Sequence, residues 1–377
     1  MNQVAQPDNL PGTVGEGLVQ HGVNRREFLQ FCVSLTVMLA LPPSMAAVMA
    51  EAISKTRRQS VIWLSFQQCT GCTESTARSH TPTLENLIFN LISLDYQHTL
   101  QAAAGEAAEQ ALAQSMKDNA GKYLLIVDGS IPMGNPGFST IAGISNHDML
   151  VDVAKDAAAI VAVGTCASFG GISNAKPNPT GAVAVHDIIK DKPIIHIPGC
   201  PPIPVVITGV LAHFLTFGSI PELDSLGRPR SFYGETVHDR CYRRQFYDQK
   251  KFALSFDDDM AKQGWCLFKL GCKGPVTHSS CATTKWNDGT SFPVQSGHGC
   301  IGCAEPNFWD ATPLYKVPLK SFLYQLILGD QDTPQKTVPT GLGVGYTAVT
   351  WHKRMNKNKV AANAPDKKLT AQKGNTL

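Results

Sequence analysis

The sequence predicts an α/β protein built on a doubly wound parallel sheet, followed by an irregular cysteine-rich region. Three observations carry this expectation. Short β-branched apolar runs alternate with helix-like stretches between residues 60 and 220, regular apolar runs give out after Pro221, and many of the cysteines stand at loop-like positions beside Gly or Pro.

Four runs read as strands: Val61-Ile62-Trp63-Leu64, Tyr123-Leu124-Leu125-Ile126-Val127, Ile160-Val161-Ala162-Val163 and Ile194-Ile195-His196-Ile197. Runs that are apolar on both faces are buried in parallel sheets. Candidate helices over 83–94, 101–116, 147–158 and 203–217 supply the crossovers, which makes residues 60–220 a flavodoxin-like domain by topology. Residues 221–330 form a second domain with too few apolar runs for an ordinary core of that length, as expected where metal ligation orders the loops.

At 377 residues, 43% hydrophobic and 17% charged with a formal charge of +3, the chain is neither disordered nor a strongly basic nucleic-acid binder. No nucleic acid partner is expected. Residues 1–52 read as a targeting segment, with Asn24-Arg25-Arg26-Glu27-Phe28-Leu29 before an apolar run over 31–41 and small residues near 46–52. Paired arginines in this setting match the twin-arginine export pattern, so the expected partner is the twin-arginine export machinery and the expected compartment the periplasm. Asn24 stands where Ser or Thr is more usual. The tail, 331–377, is Lys-rich apart from an apolar stretch over 338–351, shorter than the roughly 20 residues of a membrane span. An interfacial or partner-docking tail and a disordered one both remain open.

Eleven cysteines demand a chemical explanation, and Cys32 falls inside the targeting segment. Cys69 and Cys72 follow the first strand, Cys166 the third and Cys200 the fourth, all at carboxyl ends. That edge of an open α/β sheet is where ligands bind, so four thiolates distant in sequence can converge there. Beyond Pro221, His238, Cys241, Cys266 and Cys272 offer one imidazole and three thiolates, and Cys281, Cys300 and Cys303 offer three thiolates with no obvious fourth ligand. Pro293, in the region from which a fourth might have come, cannot ligate. Five disulfides are the alternative favoured by an exported protein, but a domain of this size needs no staples. Zinc is the stronger alternative, because four thiolates, or three with an imidazole, suit it as well as an iron-sulfur cluster. Three sets in one chain, one lacking a fourth ligand, favour iron-sulfur.

With these residues placed, the chain resembles the small subunit of nickel-iron hydrogenases, in particular the membrane-associated uptake type. The resemblance spans roughly 60–310. It rests on Cys69-Thr70-Gly71-Cys72-Thr73-Glu74-Ser75, Asp128-Gly129-Ser130-Ile131-Pro132, Gly164-Thr165-Cys166, Pro198-Gly199-Cys200-Pro201-Pro202, His238-x2-Cys241, Gly264-Trp265-Cys266, Gly271-Cys272-Lys273-Gly274-Pro275 and Cys300-Ile301-Gly302-Cys303. It implies a proximal 4Fe-4S cluster on Cys69, Cys72, Cys166 and Cys200. It likewise implies a distal 4Fe-4S cluster on His238, Cys241, Cys266 and Cys272, and a medial 3Fe-4S cluster on Cys281, Cys300 and Cys303. The nickel-iron centre belongs to the large subunit, the implied partner, and this chain alone is expected to be inactive. A further iron-sulfur, cytochrome or quinone-linked membrane redox partner is implied downstream. Glu74 reads equally as a proton-relay carboxylate at the subunit boundary and as a carboxylate favoured by a helix N-terminus. Oxygen-tolerant relatives carry two extra cysteines where this chain has Gly71 and Gly171, which implies an oxygen-sensitive enzyme. A zinc-stabilised secreted binding module, the related subunit of respiratory complex I and a free-standing ferredoxin-like carrier are the competing classes.

Overall fold

The computed structural model describes residues 13–20, 23–38, 41–55, 57–311 and 313–316. The apolar stretch over 338–351 and the basic residues after it lie outside them, as does the end of the 221–330 region.

All four expected strands form. They are β1 (Gln59–Ser65), β3 (Leu124–Asp128), β4 (Ala159–Val163) and β5 (Ile194–Ile197), joined by a fifth, β2 (Ile92–Gln97), in one parallel sheet of order β2-β1-β3-β4-β5. This is the doubly wound flavodoxin-like order. Every residue of β3 and β4 is buried, because helices cover both faces. Strand alternation divides the core in two. Trp63, Ile126, Val161 and Ile195 face one layer, and Ile62, Leu125, Val127 and Ile160 the other.

The helices are α1 (Val14–Gln20), α2 (Arg25–Met38), α3 (Met45–Lys55), α4 (Gly71–Ala77), α5 (Glu106–Asp118), α6 (Asn146–Ala154), α7 (Gly164–Phe169) and α8 (Pro204–Phe217), with shorter turns between. Local chemistry sets their ends. Ser145 Oγ accepts from Asp148 N–H at 3.1 Å to start α6, and α8 opens on Pro204 and stops at Gly218 in the left-handed region.

One expected helix is corrected. Over 83–94 the chain makes a single helical turn, Leu84–Asn86, then a π-helical turn, Leu87–Leu91, and then enters β2. Leu84, Leu87 and Leu91 keep helical spacing, but Ile92, Leu94 and Tyr96 alternate as a strand does. Asp95 is tolerated in this edge strand because Ser60 and Ser115 hydroxyls donate to it at 2.5 and 2.6 Å.

The described residues of the segment read as a leader are also folded. Phe28, Cys32, Leu35, Met49 and Ile53 are buried in the same apolar layer as α8. Asn24 Oδ1 accepts from Glu27 N–H at 2.9 Å while Glu27 Oε2 accepts from Asn24 N–H at 3.2 Å, a reciprocal cap that Asn supplies as well as Ser or Thr. Among the described residues no helix is long and apolar enough to cross a membrane.

After Pro221 the described residues form no extended strand, only short helical turns and isolated bridges. Their own apolar nucleus is small: Val237, Ala253, Leu267, Cys272, Phe292 and Val294.

Candidate metal centres

The first cysteine set stands where strand topology puts it. β1 ends at Ser65 and leads to Cys69 and Cys72, β4 ends at Val163 just before Cys166 in α7, and β5 ends at Ile197 before Cys200. The thiols sense one another. Burial pushes Cys72 well above the usual thiol range, with the charges of Asp128, Cys166 and Cys200 adding to it. Cys166 is pushed up to about 12 by burial and then by Cys200, Asp128 and Cys69. Gly164 makes room for this convergence: its φ is +85° and a Cβ there would stand 2.5 Å from Cys72 Sγ. Cys69 and Cys200 lie at the exposed edge.

His238, Cys241, Cys266 and Cys272 line one pocket, together with Val237, Leu267, Phe268 and Val294. Burial and then the Arg244 charge hold the His238 imidazole below its usual range, so it is neutral and has a lone pair to give. Burial pushes Cys266 up to about 12.

In the third set, Cys281, Cys300 and Cys303 are all raised by burial, and Cys303, at about 12, also by the charges of Cys281 and Cys200. Ser279 Oγ lies 3.2 Å from Cys281 Sγ and Trp286 also bonds it. Between Cys281 and Cys300, Pro293 sits between buried Phe292 and Val294.

The three sets touch in series. Cys200 lies close enough to Cys303 for its backbone and thiol both to act on the Cys303 thiol, and Cys300 N–H donates to Cys272 Sγ at 3.3 Å. The third set therefore stands between the first and the second. Lys273 N–H donates to the Cys300 carbonyl at 2.7 Å, and its buried ammonium caps the Pro313 carbonyl at 2.9 Å beside Cys272 and Cys300.

Thiolate-rich donor sets of this kind fit iron-sulfur clusters, and zinc accepts the same ligands. A tetrahedral zinc site draws its sulfurs to within about 3.8 Å of one another, given a Zn–S length of about 2.3 Å. The thiols of the first and second sets share a common field. A polynuclear group spreads its thiolates over several irons.

Asp128, the last residue of β3 and the first of the Asp128 to Pro132 motif, lies beside Cys72 and is pushed up to about 7 by burial. The motif gives this side chain no role of its own. One further buried position belongs to none of the sequence motifs. Arg228 is 3% exposed and holds Asp224 Oδ2 at 2.8 Å and Glu305 Oε1 at 3.0 Å, two residues past Cys303. Glu74 occupies the first turn of α4, half exposed, ion-paired with Arg78 four residues on.

Residues 233–316 match the family model for the C-terminal part of the NiFe/NiFeSe hydrogenase small subunit, and residues 69–214 match "NADH ubiquinone oxidoreductase, 20 Kd subunit". The uptake hydrogenase small subunit of Azotobacter vinelandii is 47% identical over 298 residues, 79% of this chain and 83% of that one. The chain belongs to the nickel-iron hydrogenase small-subunit family. The match over 233–316 sets it apart from the respiratory subunit that shares only its first half. The Hydrogenase-1 small chain of Escherichia coli is 44% identical over 347 residues, covering 91% and 92% of the two chains. Among solved structures, the nickel-iron-selenium hydrogenase of Desulfomicrobium baculatum aligns with a TM-score of 0.65 at 33% identity, covering 69% of this chain and 100% of that chain. Small subunits of this family carry iron-sulfur clusters and work in a complex with a large subunit.

Proposed function

We propose that this chain relays electrons between the nickel-iron site of a large subunit and a redox partner, in a periplasmic hydrogenase exported by the twin-arginine route. The observation that carries the order of the relay is the pair of thiol contacts, Cys200 to Cys303 and Cys300 to Cys272. They support a proximal 4Fe-4S cluster held by Cys69, Cys72, Cys166 and Cys200. They equally support a medial 3Fe-4S cluster held by Cys281, Cys300 and Cys303, and a distal 4Fe-4S cluster held by His238, Cys241, Cys266 and Cys272. When bound, these groups supply one-electron transfer.

This chain's own residues do the rest. The buried thiols at about 12 keep their protons until iron displaces them, so loading releases protons. The neutral imidazole of His238 replaces one thiolate at the end of the series farthest from the sheet edge, where an acceptor, membrane-bound or not, would take the electron. Exposed Cys69 and Cys200 put the opposite end at the surface for the large subunit. Glu74, on that same edge, has the place for a proton-relay carboxylate.

Iron and sulfide assay with low-temperature electron paramagnetic resonance on the purified complex of both chains tests this reading. The expected result is one 3Fe-4S signal when oxidised and two 4Fe-4S signals when reduced. Zinc with no iron, or a single cluster, overturns it.

A further inference from the structure

Beside His238 an aromatic floor leads from the second cysteine set to the surface. The imidazole meets the Tyr247 ring edge-on, with centroids 4.6 Å apart, and Tyr247 meets Phe252 and Phe268 at 5.7 and 5.3 Å, both nearly perpendicular. Edge-to-face contacts of this kind fix rings against one another. Phe268 is buried in the wall of the pocket that holds the set, whereas Tyr247 and Phe252 are half-buried and reach solvent. Cys266 N–H donates to the Lys251 carbonyl at 3.2 Å, which brings Trp265 alongside.

Three ammonium groups stand over these rings. Lys250 Nζ lies 5.9 Å from the Tyr247 centroid, Lys269 Nζ 5.6 Å from that of Phe252 and Lys251 Nζ 5.9 Å from that of Trp265. A cation so placed is attracted by the ring quadrupole and keeps its head in water while its stem covers the ring. Lysines already held this way have less freedom to lose when a partner arrives. Nearby carboxylates do not neutralise the patch. Glu235 is held by Arg240 and Asp239 by Arg244, and Asp248 lies 3.9 Å from Arg244. Lys250 and Lys251 are exposed, and among the described residues no carboxylate pairs with either. Residues 238–252 carry five Lys or Arg against two Asp, so the surface at this end is basic.

We propose that this lysine-bearing aromatic platform is the docking surface for an acidic one-electron carrier protein. The proposal rests on the function given above, which puts an acceptor at the His238 end of the series, and adds the sign of the charge on that acceptor's face. Carboxylates of the carrier meet Lys250, Lys251 and Lys269, and its cofactor comes to rest over Tyr247, with the His238 imidazole against the edge of the same ring. The carrier gains one electron and the distal group loses one, with no bond made or broken. Opposite charge across such a contact steers encounter and fixes orientation more than it adds affinity, which suits a carrier that must leave after each electron.

Hydrogen-driven reduction of the acidic soluble domain of cytochrome b5 by the purified complex of both chains, under anaerobic conditions, tests this, with basic mitochondrial cytochrome c and an uncharged benzoquinone as the other acceptors. Raising salt from about 20 to about 200 mM is expected to slow cytochrome b5 reduction about tenfold. Lys250→Glu combined with Lys251→Glu is expected to cost a similar factor at low salt, and Lys250→Arg combined with Lys251→Arg to keep the rate. Benzoquinone reduction and hydrogen isotope exchange stay unchanged in both variants. Cytochrome b5 reduction indifferent to salt or to the glutamate pair overturns the proposal, as does finding that cytochrome c is the acceptor that salt slows. Binding of the complex to phosphatidylglycerol vesicles, lost in the glutamate pair while cytochrome b5 reduction is unaltered, gives the patch to an anionic lipid surface and also overturns it. A complex that exchanges hydrogen isotopes yet reduces none of the three acceptors is a different outcome, which overturns the relay on which the proposal rests.

Discussion

The Tyr233 hydroxyl donates a 2.7 Å hydrogen bond to the carbonyl of Pro198. That bond ties the turn before His238 to the loop that carries Cys200, so the two halves of the chain share one joint at the first and third cysteine sets. The ring is buried, with the Arg228 guanidinium 5.7 Å from its centroid. Tyr233→Phe leaves the buried Pro198 carbonyl without its partner, at a cost of about 1–2 kcal/mol. Urea unfolding of the complex should show that loss, and no change in midpoint would mean that water replaces the hydroxyl.

Arg228 is the other half of the joint. It pairs with Asp224 and Glu305, both largely sheltered, and Glu305 also accepts from His278 N–H at 2.6 Å. Glu305 therefore anchors the loop after Cys303 to the loop before Cys281. Arg228→Leu strands two sheltered carboxylates and should cost about 3–5 kcal/mol, whereas Arg228→Lys keeps the charge and should cost less. Alongside thermal unfolding, the 3Fe-4S signal of the leucine variant is expected to broaden or vanish. An unaltered signal would confine Arg228 to stability.

His196 on β5 makes stability depend on acid. Burial, and then the charge of His186, push its imidazole down to about 4, while Asp224 works the other way. An unfolded histidine titrates near 6.5, so between these values the unfolded chain binds the extra proton. The neutral ring's contribution is therefore fully present above about pH 6.5 and is lost as pH falls through about 4, with a total on the order of 3 kcal/mol. Unfolding free energies measured across that window should rise with pH, and His196→Asn should flatten the slope.

The sheet is legible in the sequence because each expected strand is short, β-branched and apolar on both faces, and strand ends are where an α/β sheet gathers ligands. That is enough to bring Cys69, Cys72, Cys166 and Cys200 together. β2 is not legible, because Leu84, Leu87 and Leu91 give a helical period that runs directly into Ile92, Leu94 and Tyr96 with no Gly or Pro to mark the change. Arg228 is silent for another reason. Its role comes from burial against groups far away in sequence, which no local pattern encodes, and the motif that begins at Asp128 does not say that its carboxyl is buried beside Cys72. The segment over 1–52 stands apart by its composition, and nothing in composition says which face an apolar helix will cover.

On the relay proposed above, the single imidazole of the distal site has a measurable consequence. Exchanging a neutral ligand for a thiolate adds negative charge beside the bound group and lowers its potential, by on the order of 100 mV for one ligand. His238→Cys is therefore expected to shift the distal potential down in a redox titration followed by electron paramagnetic resonance. Electron delivery to an acceptor slows, while hydrogen isotope exchange at the large subunit persists. Equal loss of both activities would point to a damaged fold. The cavity walls Leu267, Phe268 and Val294 are apolar, so the added charge finds little new solvation there.

Air sensitivity is predicted from two glycines. The cysteines that oxygen-tolerant relatives add would fall at Gly71 and Gly171, and the two places differ physically. A Cβ at Gly71 would stand 3.2 Å from Cys69 Sγ, a contact that a small adjustment relieves. At Gly171 φ is +65° and a Cβ would overlap Cys166 Sγ, so a side chain there requires the backbone after α7 to move. On the relay proposed above, a proximal cluster with four thiolates and no more is expected to exchange one electron at accessible potentials. Oxygen at the large subunit's metals needs several in quick succession, so the complex is expected to lose activity in air and to oxidise hydrogen only under anaerobic conditions. Gly71→Cys alone should leave that unchanged, since the second thiol is missing and its place is strained. Protein-film voltammetry under a few per cent oxygen measures it directly: a sustained hydrogen-oxidation current from the unaltered complex would show that protection comes from residues other than these two.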